Sequence, residues 1–359
     1  MSPSVRSWIA RVGGIVLAVG LLWLALRGVD AAAIGDALAR ADLRWVLPIV
    51  VVALLSHLVR AWRWRLLLAA LPETQDRPGQ PATARVPTLW EAFAAVMMGY
   101  AVNYALPRVG EVVRTATVSR RTGIDLSTVL GTVVLDRVLD MAMLAVGLAT
   151  LPFVLQDRLA PALAFFVDPL RARLGASAGT FALVGGVALV GLLAAGLAWR
   201  AHQRRTSRQA SPSRVAALVA GFRDGLATIG RSPHRGALVG ATLAMWGLYL
   251  TMAYLPFLLL RQATPYGLTL VDGWSIMLLG SLGMVVPAPG GAGSFHYVTI
   301  ETLTRLWSVA RVDAAAYAVL VHGAQLVVYA LAGAVCFVLL GLRRPSGAAA
   351  TPATDGAAA

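Results

Sequence analysis

Asn103, Pro107, Arg108, Gly110, Glu111 and Arg114 fall within twelve consecutive positions at the end of an apolar stretch. Pro107 lacks a backbone donor and Gly110 permits dihedrals closed to other residues, so a helix entering this segment breaks and restarts. The restarted helix presents its first amides as unpaired donors, which suits a phosphate or another anion. Arg108, Glu111 and Arg114 follow at a spacing of three and share one face. The same charges also fit an amphipathic helix at the membrane interface, and both readings stand at this point.

Asp136, Arg137 and Asp140 form a second constellation, inside an apolar run that begins near residue 126. Ten helical residues rise roughly 15 Å, which places Asp136 near the centre of a bilayer. A lone charge there costs about 2.5–3.5 kcal/mol or more, so these side chains need partners. Asp136 and Asp140 share a face, and Arg137 and Asp140 are spaced to pair. The group either holds a helix bundle together or handles a ligand or proton.

A third segment, Pro287 to Gly293, contains Pro289, Gly290, Gly291 and Gly293, with His296 following on the restarting helix. Its glycines match neither a dinucleotide-binding fingerprint nor a phosphate-binding loop, and no strand precedes them. The segment reads as a break between two half-helices. His322 and Gln325 fall in the final apolar block at nearly the depth of Asp136 and Asp140. Either histidine could be a structural hydrogen-bonding residue or a ligand contact. A fourth element, His57 to Arg65, reads as an interfacial anchor, with Trp62 and Trp64 at head-group level and Arg63 and Arg65 reaching toward water. Arg60 reaches deepest and is a candidate for a lipid-phosphate site.

These residues must be held by membrane helices. Hydrophobic residues make up 58% of the 359 positions and charged residues only 13%, against roughly 25% charged in a soluble domain. Mean hydropathy is +0.71. The formal charge of +14 comes from a chain without lysine. Its arginines gather between apolar blocks, as at Arg200–Arg214 and Arg343–Arg344, which is the pattern of cytoplasmic loops and not of a nucleic-acid surface. Cys336 is the one cysteine, so no intrachain disulfide forms. The sequence shows no zinc, thiol-redox, hydrolase-elbow or kinase motif, and no metal, cofactor or catalytic residue is expected.

The expected fold is therefore an all-α polytopic membrane protein. Full spans are expected at about 9–26, 45–68, 126–151, 180–199, 236–260 and 313–342, with broken helical hairpins at 89–122 and 270–308. Charge balance across the loops is met when both hairpins are re-entrant and both termini are cytoplasmic. Each half then reads as span, amphipathic stretch (Ile34–Arg44 or Ser213–Gly230), span, hairpin, span. The halves, about 9–151 and 180–342, would be inverted, which is a transporter architecture. Residues 1–344 form one domain, and 345–359 form a low-complexity tail expected to be disordered.

Four of these elements, in this order, resemble a known family: Arg60–Trp64; Asn103, Pro107, Gly110, Glu111 and Arg114; Arg137 and Asp140; and Pro289 to Gly293. The chain resembles the flippase-like transmembrane region of lysylphosphatidylglycerol synthases from about residue 10 to 342. The resemblance implies movement of a lipid between leaflets of a prokaryotic-type plasma membrane. The aminoacyl-transferase domain that the synthases append has no counterpart up to Ala359, so synthase activity is not implied. Many family members carry Glu three residues beyond the final glycine of the break, where this chain has His296. That change alters charge at a lining position and bears on which lipid is handled.

The leading expectation is a lipid flippase acting on an anionic or aminoacylated lipid. Arg60, Arg108 and Arg114 would attract the phosphate, while Glu111, Asp136 and Asp140 position it or relay protons. Two alternatives differ in class. One is a non-transporting accessory subunit of lipid-linked glycan or isoprenoid-lipid synthesis, recognisable by a co-purifying glycosyltransferase. The other is a membrane enzyme using the carboxylates as acid and base, recognisable by turnover of a labelled lipid.

Overall fold

The computed structural model describes residues 3–76, 82–105, 109–158, 234–284 and 289–342. The expected span at 180–199, the stretch Ser213–Gly230, the tail from 345, and Pro107, Arg108 and Pro287 lie outside the described residues. Within them the chain forms helices α1 (Pro3–Leu26), α2 (Ala31–Ala39), α3 (Val46–Ala69), α4 (Leu89–Ala105), α5 (Val109–Thr122), α6 (Leu126–Val154), α7 (Arg235–Leu259), α8 (Leu270–Gly283), α9 (Ser294–Trp307) and α10 (Arg311–Leu342). Single 3-10 turns sit at Leu43–Trp45, Pro72–Thr74 and Pro289–Gly291. No strand occurs among the described residues.

The helix starts have local causes. Asp30 accepts from the Ala32 amide, and Asp125 accepts from that of Ser127, each satisfying a donor that the first turn leaves free. Thr269 and Asp272 cap α8 reciprocally, at 3.4 and 2.7 Å.

Among the described residues, three helical segments are long and apolar enough to cross a membrane: Leu43–Ala69, Arg235–Leu259 and Arg311–Leu342. Val16–Leu26 and α2, bent by 76° at their break, make a fourth if counted as one span. Helix α6 has 29 residues and is about 43 Å long. Its length suffices for a span, but Asp136, Arg137 and Asp140 interrupt its apolar run.

Both broken segments fold back on themselves. In the first, Gly99 on α4 lies against Gly110 on α5, so closely that a Cβ on Gly110 would collide with the Gly99 carbonyl oxygen. Two positions eleven apart on a continuous helix would stand about 16 Å apart, so the chain turns between them. In the second, a Cβ on Gly283 of α8 would come within 2.8 Å of the Ser294 carbonyl oxygen on α9. The turn is made by Gly290 (φ 59°), Gly291 (φ 73°) and Gly293 (φ 82°), all in the left-handed region that glycine enters without penalty. The two hairpins touch near their turns, with the Tyr104 ring 3.2 Å from where a Cβ on Gly290 would stand.

Helix α3 lies along α7 and α4 along α10, while α8 lies along α9 and α7 and touches α6 over a much shorter stretch. Gly333 admits Ala101 and the Met97 carbonyl at the α4–α10 contact, and Gly147 admits Leu278 at the α6–α8 contact. Tyr317 of α10 stacks on Phe257 of α7 at 4.2 Å and donates to the Ala253 carbonyl at 2.6 Å. Cys336 is a free thiol buried among Ala53, Met97 and Tyr329.

Candidate functional site: a charged cavity between two hairpins

The middle of the molecule holds an arginine–aspartate network assembled from four helices. Asp136 of α6 is fully buried. Its carboxylate accepts from Arg63 Nε at 3.0 Å and Nη2 at 2.7 Å. It also accepts from Arg60 Nη1 at 3.2 Å and from both terminal nitrogens of Arg114 at 3.3 Å. One turn further along α6, Asp140 accepts from Arg63 Nη2 at 2.6 Å and pairs with Arg60 Nη1 at 2.8 Å. Arg60 reaches Tyr249 of α7 through Nε and Nη2, at 3.2 and 2.9 Å. Arg63 reaches Thr242 of the same helix at 3.4 Å.

Helix periodicity explains the arrangement. Arg60 and Arg63 are three apart on α3, and Asp136 and Asp140 four apart on α6, so each pair projects from one face. Facing helices then interlock two guanidinium groups with two carboxylates. Arg114 completes the network from α5 and lies over the Trp64 ring, 3.8 Å from its centroid. Trp64 Nε1 is held by Thr132 Oγ1 at 2.9 Å. Taking ions out of water costs several kcal/mol each unless attraction and hydrogen bonds compensate, and here nearly every polar atom of the ions is engaged. Arg114 Nε is one exception.

This overturns part of the sequence reading. Arg63 and Trp64 are fully buried and do not anchor at an interface, because the carboxylates of α6 offer Arg63 a partner that the bilayer surface does not. Trp62 is partly exposed, and Arg65 donates to the Pro87 carbonyl at 2.9 Å. Arg63 is thus a member of the network that sequence reasoning does not select. Its spacing from Arg60, close to that of the two aspartates, is the signal that could have found it. The expected Arg137–Asp140 pair does not form. Arg137 instead reaches Glu111 Oε1 at 2.7 Å, since α5 lies against its side of α6. Asn103 Nδ2 donates to Glu111 at 3.3 Å, and Asn103 Oδ1 accepts the Gly110 amide at 2.8 Å, which staples the first hairpin.

Beside the network opens a cavity of about 1060 Å³. Its wall includes Arg60, Asn103, Arg137, Asp140, Gly290, His322 and Gln325. Asp140 keeps 17% of its side chain exposed and Arg137 44%, so these two of the charged groups on the wall are the most accessible. Tyr100 and Tyr329 flank His57, whose ring nitrogens have no hydrogen-bond partner among the described residues, and Tyr104 extends the aromatic wall from Tyr329.

The remaining candidates stand around the second hairpin. The rings of His296 and His322 are 4.9 Å apart, and His296 Nδ1 accepts the Gly293 amide at 3.4 Å. Gly293 faces α1, packed against Ala18 and Leu22, while Gly291 backs onto Met284. Pro289 opens the 3-10 turn of the break. Among the described residues no group of three or more His, Cys, Asp or Glu is placed to hold a metal ion.

Comparisons with curated proteins and with solved structures return no match. A family model described as the lysylphosphatidylglycerol synthase TM region matches residues 11–333, spanning every residue named on the cavity wall. A charged cavity buried among apolar helices, in a chain matched over nearly its whole length, identifies this protein as a helical membrane protein that belongs to the lysylphosphatidylglycerol synthase transmembrane-region family.

Proposed function

We propose that the protein moves a lipid bearing a phosphate or aminoacylated head group between leaflets, without catalysing a reaction on it. The observation that carries this reading is the cavity of about 1060 Å³. It places guanidinium and carboxylate groups among apolar helices, where only a polar ligand justifies their exposure. Family membership supports a lipid-related role.

The chemistry is partner exchange. Arg60 Nη1 is shared between Asp136 and Asp140, and Asp140 is the more accessible carboxylate. An incoming phosphate oxygen displaces Asp140 from Arg60, while Asp136 keeps the guanidinium oriented and Tyr249 holds its other edge. Asp140, still bonded to Arg63, remains available to take Arg60 back as the ligand leaves. Glu111 and Arg137 form a second exchangeable pair at the rim.

In this reading both hairpins are re-entrant, and they touch near their turns at the cavity. The matching contacts of α4 with α3 and of α8 with α7, and of α5 with α6 and of α9 with α10, support two equivalent halves, which the loop charges orient as inverted, with cytoplasmic termini. Membrane lipids are the partners, in a prokaryotic-type plasma membrane.

The test is reconstitution into liposomes with fluorescent anionic and aminoacylated lipids and measurement of leaflet exchange. Exchange is expected for the native chain and is abolished in Asp140→Asn and Glu111→Gln variants that elute as folded protein. Equal exchange in both variants overturns the role of the cavity. No exchange of any lipid, together with a co-purifying glycosyltransferase, replaces transport by the accessory-subunit reading.

A further inference from the structure

Among the described residues, the charges around the cavity do not balance. Arg60, Arg63, Arg114 and Arg137 contribute four positive charges, against three negative charges from Asp136, Asp140 and Glu111. Every one of these carboxylates already accepts from at least one arginine. Among the described residues of the cavity wall the count is two arginines, Arg60 and Arg137, to one aspartate, Asp140. Among the described residues, no carboxylate on that wall is free to receive an ammonium group. The surplus guanidinium charge is a demand for an anion, and a cationic head group would meet repulsion there.

A second feature adjoins the first. An apolar crevice of about 100 Å³ runs between α3, α7 and α10, lined by residues such as Val50, Ala53, Pro256, Leu320 and Ala324. It shares Met252, Val321 and Gln325 with the wall of the charged cavity, so only these side chains lie between the two spaces. On two of the helices that line it, Leu47 and Val51 of α3 and Val327 of α10 are exposed, as residues facing hydrocarbon are. The crevice has about a tenth of the cavity's volume, so it accepts a segment of one hydrocarbon chain and no second head group.

We propose that the cavity is selective for an anionic, phosphate-bearing amphiphile over a cationic aminoacylated one. The phosphate lies between Arg60 and Arg137, and one hydrocarbon chain leaves through the α3–α7–α10 crevice. This rests on the lipid-handling reading above and narrows it to one head-group class and one chain path.

Equilibrium binding to the purified full-length chain tests it, using fluorescent phosphatidylglycerol, fluorescent lysyl-phosphatidylglycerol and the deacylated head group glycerophosphoglycerol. Phosphatidylglycerol is expected to bind at least about tenfold more tightly than its lysyl ester. Glycerophosphoglycerol, lacking the chain, is expected to bind about a hundredfold more weakly than the lipid. Ala324→Phe, which fills the crevice, should weaken lipid binding about tenfold and leave glycerophosphoglycerol unaffected. Val50→Phe blocks the same crevice from α3, should either variant fail to fold. Arg137→Gln should weaken lipid and free head group alike.

Equal or tighter binding of the lysyl ester overturns the head-group assignment. Equal affinity for glycerophosphoglycerol, or two folded crevice variants with native lipid affinity, overturns the chain path and leaves only a free-anion site. Leaflet exchange separates this from the broader reading. Selective phosphatidylglycerol binding without exchange sinks transport and leaves the ligand assignment intact. Exchange confined to the lysyl ester keeps transport and sinks the assignment.

Discussion

The two hairpins, α4–α5 and α8–α9, share a shape and differ in what holds it. The first closes through polar contacts. Asn103 clasps the Gly110 amide, Glu111 pairs with Arg137, and Arg114 is drawn inward to Asp136 across the helix interface. The second closes through backbone conformation and packing, with three left-handed glycines at its turn, Ser294 Oγ bonded to the Gly291 carbonyl at 3.2 Å, and α9 laid against α1. The ionisable groups beside it, His296 and the cavity-wall residue His322, meet rings and not carboxylates among the described residues. One hairpin is thus a source of charge that must be compensated, and the other supplies a shape against which the first can close. A cavity built from both has one wall that binds and one that fits.

That contrast can be broken by substitutions, beginning with the largest effect. Asp136→Ala removes the shared partner of Arg60, Arg63 and Arg114 and leaves buried guanidinium charge uncompensated, at a cost of about 3–5 kcal/mol. Thermal unfolding in detergent should show a large fall in midpoint or no monodisperse protein, and an unchanged midpoint would mean the network does not hold the first hairpin. Gly110→Ala drives a Cβ into the Gly99 carbonyl and should cost about 1–3 kcal/mol, read in the same assay as an intermediate loss.

On the second hairpin, Gly290→Ala imposes a left-handed backbone on a residue with a side chain, at about 1–2 kcal/mol, with Tyr104 close by. If this loss exceeds that of Asp136→Ala, conformation and not charge dominates the whole assembly. The smallest effect is expected for His296→Leu. Its one hydrogen bond is long, 3.4 Å, so the loss should stay below about 1 kcal/mol. A larger loss would show that the second hairpin also depends on a polar contact, and the contrast would dissolve.

Much of the fold is legible in the amino-acid sequence. Apolar runs of about twenty residues carry their own signal, because backbone groups in hydrocarbon must be satisfied within the segment. Accordingly helices α1, α3, α6, α7 and α10 stand at the positions where spans are expected, and among the described residues α3, α7 and α10 are long and apolar enough to cross a membrane by themselves. The second break is legible in the glycine run from Gly290, which disfavours continuous helix, whereas Gly110 lies inside α5 and serves the close approach to Gly99 instead of the break itself. Asp136 and Asp140 are legible as a pair from their four-residue spacing.

What the sequence by itself determined was the set of helices, the positions of their breaks and the identities of the charges that had to be buried. Which charge met which was decided only by tertiary structure. Arg137 and Asp140 are spaced to pair but do not, because α5 offers Arg137 a glutamate and α3 offers Asp140 two arginines. Arg63 reads as an anchor and is instead the most enclosed cation of the network, because α3 turns that face toward α6. Coulomb attraction in a low-dielectric interior is strong but reaches only those partners that helix packing brings within a few ångströms, and the packing of α3 on α6 and α7 is a long-range contact that no local spacing encodes.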